Sequence, residues 1–173
     1  VRRITRRRSA ARVTLEDAAN FLDTPLVPRV YTGAGWRNGS VDLTGTSPPV
    51  GWGYCHNAKP VLEDPSIWLY RLSDYGVNAV VSVEERGLPF IFDSDVASYE
   101  LLRVRADELA EGYYATCLVD GSIAIKFAGG EPLDGTAIRV TFEGDKSSGT
   151  YVENIGPVML AMARYSMGIS DAR

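Results

Sequence analysis

Histidine occurs once in this chain of 173 residues, at His56, and cysteine twice, at Cys55 and Cys117. A structural zinc site takes four ligands, typically as closely spaced Cys or His pairs. Two cysteines and one histidine do not complete such a set without a carboxylate. Cys55 and His56 are neighbours, so on a strand their side chains point to opposite faces and do not serve as nucleophile and base. The two cysteines read either as a disulfide or, more commonly, as small buried hydrophobes. There is no Gly-x-Gly-x-x-Gly, no Gly-Lys-Ser/Thr and no Gly-x-Ser-x-Gly, so no nucleotide cradle or nucleophile elbow is expected. No cofactor and no catalytic residue are therefore expected, although two of the 22 acids facing each other would make a glycosidase pair. No run of 18 apolar residues exists, so no transmembrane helix and no membrane partner are expected. The basic first residues are not followed by an apolar segment, so no secretory signal peptide is expected there.

What is present is unevenly charged. The net charge of −4 hides a basic start, because residues 1–12 hold six arginines and no acid. The remainder holds 12 basic and 22 acidic residues. Arg2, Arg3, Arg6, Arg7, Arg8 and Arg12 thus form a basic arm on an acidic body. Such an arm reads as a docking element for nucleic acid or an acidic protein surface, or as a solvated tail. Thr14 to Leu22 has a helical pattern, with Thr14 as N-cap and Leu15, Ala18, Ala19 and Leu22 on one face. Residues 30–65 are loop-rich. Their glycines punctuate Tyr31, Trp36, Trp52 and Tyr54, which read as a ligand platform or, more simply, as caps on the core. Asp93, Asp95, Asp107, Glu108 and Glu111 offer oxygens to a hard cation or are solvated loop acids.

From residue 66 the pattern is that of strands. Ile67–Leu72, Val77–Glu84, Leu88–Phe92, Ser98–Ala106, Tyr113–Val119, Ser122–Phe127 and Thr136–Glu143 are predicted strands, with Gly149–Val152 as an eighth candidate. Glu85-Arg86-Gly87 reads as a short hairpin loop. Asp120-Gly121 reads as a two-residue type I′ turn. Spacing near ten residues with polar turns indicates a sandwich or barrel. At the end, Pro157–Met167 is rich in helix formers, with a last strand as the alternative. Met159, Met162 and Met167 lie there, as an adaptable contact surface or as core filling.

Leu109-x-x-Gly112-x-Tyr114 resembles the corner that opens a late strand in immunoglobulin-like, fibronectin-like and prealbumin-like sandwiches. In that resemblance the leucine plugs the core, the glycine permits the bend, and the tyrosine ties back to the preceding loop. No Cys…Trp…Cys framework surrounds it. The expected fold is mainly β, an antiparallel Ig-like or jelly-roll-like sandwich with a basic N-terminal arm and short peripheral helices. The expected organisation is arm and helix over 1–29, loop region over 30–65, sandwich core over 66–153 and a helical or packing segment over 154–173. This layout resembles that of bacteriophage and viral particle proteins. It implies a structural subunit of a tail, neck or capsid surface, located in the virion, with other copies of itself and other virion proteins as partners. A glycan- or host-surface-binding module is the second expectation and a small hydrolase the third.

Overall fold

The computed structural model describes residues 3–7, 10–14, 27, 29–132, 138–145, 151–154, 156–160 and 162. Among the described residues nine strands form two stacked sheets, the mainly β sandwich expected from the alternation. The strands are β3 (Tyr54–Ala58), β4 (Val61–Asp64), β5 (Leu69–Arg71), β6 (Val77–Glu85), β7 (Leu88–Pro89), β8 (Ile91–Asp95), β9 (Tyr113–Cys117), β10 (Ser122–Ile125) and β11 (Ile138–Asp145). One sheet has the order β4-β5-β10-β9-β8 and the other β3-β11-β6-β7. Apart from them, β1 (Arg3–Arg7) pairs antiparallel with β2 (Ala10–Thr14). The side chains of the basic arm lie outside the described residues; of the helix expected over Thr14–Leu22, Thr14 ends β2 and residues 15–22 lie outside the described residues. The expected loop region 30–65 contributes two strands, β3 and β4, one to each sheet.

The five-stranded sheet is buried on both faces at its central strands β5, β10 and β9. On β10, Ile123 and Ile125 meet Tyr70, Val83, Tyr114, Val140 and Phe142 in the core between the sheets. Ala124 points the other way, into a second cluster with Leu69, Leu102, Ala106, Leu109, Ala115 and Cys117. That cluster lies beneath helix α1 (Tyr99–Glu108), so the molecule has three layers.

Helix α1 corrects the strand expected over Ser98–Ala106. A strand would pair Tyr99, Leu101 and, out of phase, Val104 as its apolar face. The structure buries Tyr99, Leu102, Ala106 and Leu109 instead and leaves Leu101 and Val104 more than half exposed. The helix wins because Ser98 caps it, its hydroxyl accepting from the Leu101 N–H (3.3 Å). Glu100 then favours the N-terminal dipole, and Leu, Arg and Ala are good helix formers. The helix also makes β8 and β9 parallel, the one departure from antiparallel pairing among the described strands. Parallel neighbours need such a crossover.

Two turn expectations change places. Asp120-Gly121 does join adjacent antiparallel strands, but Ser122 pairs with Cys117, so the loop has four residues, Leu118 to Gly121. The N–H groups of Asp120 and Gly121 both donate to the Cys117 carbonyl (3.1 and 2.9 Å). Only Gly121 is left-handed (φ 74°). The two-residue turn is Arg86-Gly87, because Glu85 pairs with Leu88 and both central residues have positive φ (50° and 79°). The strand expected over Leu88–Phe92 is two strands. The chain leaves one sheet after β7, packs half-buried Phe90 edge-on against Phe127 (5.5 Å between rings) and enters the other sheet as β8. Residues 151–152 are not in a strand, and helix is present at 156–160 and 162.

Candidate functional site

A charge inside a buried strand demands partners, and Arg71 on β5 is such a charge. Strand alternation sends Tyr70 into the inter-sheet core and Leu69 and Arg71 toward the helix side. Arg71 and Glu63 are both fully buried. The Arg71 guanidinium donates to both Glu63 carboxylate oxygens (3.2 and 2.8 Å) and to the Asp120 carboxylate (2.8 Å) and carbonyl (2.6 Å). The Ser122 hydroxyl donates to the same Asp120 carboxylate (2.7 Å). Asp120 is thereby turned inward, which explains the four-residue loop. Burial pushes the Glu63 carboxyl up, and Arg71 pulls it down.

The chain 29–46 is strapped over this cluster by a second set of arginines. Arg37 pairs with Asp120 and lies 5.9 Å from the Tyr99 ring, with Arg71 at 5.7 Å from the same ring. Arg29 pairs with Asp74, donates to the Arg37 carbonyl (2.8 Å) and sits 5.2 Å from the Tyr31 ring. Burial raises the pKa of the Tyr31 and Tyr99 phenols, and the neighbouring Glu63 adds to the effect. Arg71 and Glu63 expose no surface to a substrate. The cluster clamps the loop to the sheet. Its sequence signal was an arginine inside the apolar run Ile67–Leu72.

The four aromatics of the expected platform do not come together. Tyr31 is buried. Trp36 is exposed on the helix side, with Arg103 of α1 4.2 Å from its ring. Trp52 is half-buried. Tyr54 is exposed on the opposite side of the sandwich, beside His56 (6.5 Å between rings). Cys55 points from the same strand into the core, so it and His56 do occupy opposite faces. Both cysteines are free, Cys55 against the core between the sheets and Cys117 in the cluster beneath α1, and burial raises both thiols. Asp93 is held bidentately by Arg105 (2.8 and 2.7 Å), which lowers its carboxyl pKa, and Asp95 accepts from Thr116 (2.7 Å). Met159 is exposed and Met162 half-buried, while Met167 lies outside the described residues.

Sequence reasoning missed a different surface. β8 and β7 are edge strands of their two sheets, and the chain runs directly from one to the other. Along this edge Leu88, Ile91 and Phe92 are 65%, 56% and 53% exposed. Among the described residues no strand pairs with the outer side of β8. An edge that presents unpaired backbone together with apolar side chains is a template for another chain. The signal in the sequence was the apolar run Leu88–Phe92 itself, too long for the single inward face of one strand.

Comparison of the chain with protein-family models, curated proteins and solved structures finds no significant match in any of the three.

Proposed function

We propose that the protein is a structural subunit of a phage or viral particle, in its tail, neck or capsid surface. It works by assembly rather than by catalysis. The observation that carries this reading is the open edge at Leu88, Ile91 and Phe92. A neighbouring copy or another virion protein adds its own surface there and covers the apolar side chains. The contact is heterologous, so it closes into a ring if the rotation permits. The basic arm, Arg2 to Arg12, reaches an acidic patch of a neighbour, with nucleic acid as its second target. The sandwich is the rigid element between these contacts. Its kinship with Ig-like or jelly-roll domains is part of the proposal, supported by buried Tyr114 and by Gly112 at φ 81°, while Leu109 packs beneath α1.

Sedimentation velocity on the wild type and on Ile91→Lys and Phe92→Lys tests it. The wild type should sediment as an oligomer and both variants nearer the monomer mass of 18.9 kDa. A wild-type monomer at all concentrations, or variants that assemble like the wild type, would overturn the edge as the assembly surface.

A further inference from the structure

The outer face of the four-stranded sheet carries a second surface of different chemistry. Alternation turns Cys55, Val83, Val140 and Phe142 into the core. It therefore turns His56 of β3, Ser82 and Glu84 of β6, and Arg139 and Thr141 of β11 outward. With Asn57 these residues line a depression of about 150 Å³. A β-bulge creates it. The register of β11 shifts at Thr141 and Phe142 against β6, and between Val140 and Phe142 against β3. On β3 the extra residue lies between Cys55 and Ala58; there Asn57 is left-handed (φ 54°) and its N–H donates to the Thr141 hydroxyl (3.2 Å). Bulges re-aim side chains locally. Here the short Ser82 and Thr141, cross-strand neighbours, form the floor, and the longer His56, Glu84 and Arg139 form the walls. Tyr54, 48% exposed, stands next to His56, 6.5 Å between rings.

Every lining side chain is polar, which does not suit a lipid or an apolar ligand. Arg139 stands directly opposite Glu84, so their charges offset and the site does not favour a phosphate or a bare anion. Hydroxyls, an amide, an imidazole, a guanidinium and a carboxylate within one small depression offer donors and acceptors side by side. A vicinal diol needs that mixture, because each of its hydroxyls both donates and accepts. The C–H face of a sugar ring is apolar and packs on an aromatic side chain, as Tyr54 offers. We infer that this depression binds one sugar residue of a neutral glycan. The inference does not depend on the assembly edge, which lies on other residues.

The test is a ¹H–¹⁵N NMR titration of the whole protein with methyl glycosides of glucose, galactose, mannose and N-acetylglucosamine, and separately with inorganic phosphate. At least one glycoside should shift the amides of His56, Asn57, Ser82 and Thr141 in a saturable way. His56→Ala and Tyr54→Ala, both at exposed positions, should keep the wild-type spectrum elsewhere and weaken that binding about tenfold each, a loss of the size expected for one hydrogen bond or one stacking face. The inference is overturned if no glycoside shifts these amides, if phosphate alone does, or if both variants bind as the wild type does.

Discussion

At the scale of single residues, Arg71 is the side chain on which the polar interior depends. It satisfies Glu63 and Asp120 together, and removing it leaves fully buried Glu63 without its guanidinium, whereas Asp120 keeps Arg37 and Ser122. Breaking a buried pair from one side costs about 3–5 kcal/mol, whereas replacing both partners with apolar groups can be nearly neutral. Arg71→Met should therefore lower the urea midpoint steeply. Adding Glu63→Leu to it should restore part of the loss. Equal midpoints for wild type and Arg71→Met would mean that the cluster contributes nothing to stability. The left-handed residues obey a similar logic. Gly121 is confined because a side chain there would run into the Ser73 and Tyr75 carbonyls.

Among the elements, α1 sets the difference between a plain two-layer sandwich and what this chain forms. It covers the outer face of the five-stranded sheet, so β10 needs small Ala124 on one side and large Ile123 and Ile125 on the other. The helix makes a sharp distinction between neighbours. Leu102 is fully buried, and Leu101 is 52% exposed. Leu102→Ala should cost about 2–5 kcal/mol through the lost contacts and the cavity left behind. Leu101→Glu should stay within about 0.5 kcal/mol of the wild type, as exposed positions do. Thermal melts of the two variants settle the comparison. The reverse order of effects would return the segment to a strand.

For the whole molecule, the proposed role of the basic start is in assembly rather than in folding. The two sheets and α1 build their cores from residues between 55 and 142. Deleting residues 1–12 should therefore leave the melting temperature within a few degrees of the full chain, since about 1 kcal/mol corresponds to shifts of that size in a domain this long. If the arm docks on a neighbour, the same truncated sample should lose assembly. Salt should weaken assembly of the full chain, because surface charge contacts are screened. Normal assembly after truncation would leave the edge at Leu88–Phe92 as the sole support for the particle reading.

The sequence by itself determined the β class, the positions of most strands and the hairpin after Cys117, because period-two alternation and turn residues are local properties. It also determined that Cys55 and His56 part company, since neighbours on a strand always do. Tertiary structure decided what depends on a second surface. Ser98–Glu108 carries apolar residues that serve either period, and the uncovered face of the five-stranded sheet selected the helix. The turn at Asp120 was decided by Arg71, 49 residues away, which claims the carboxylate. The apolar run Leu88–Phe92 was legible as strand, but only the switch between sheets at Phe90 left Leu88, Ile91 and Phe92 outside. The polar depression at Thr141 arises from a register shift among three strands, and no local pattern encodes where such strands will meet.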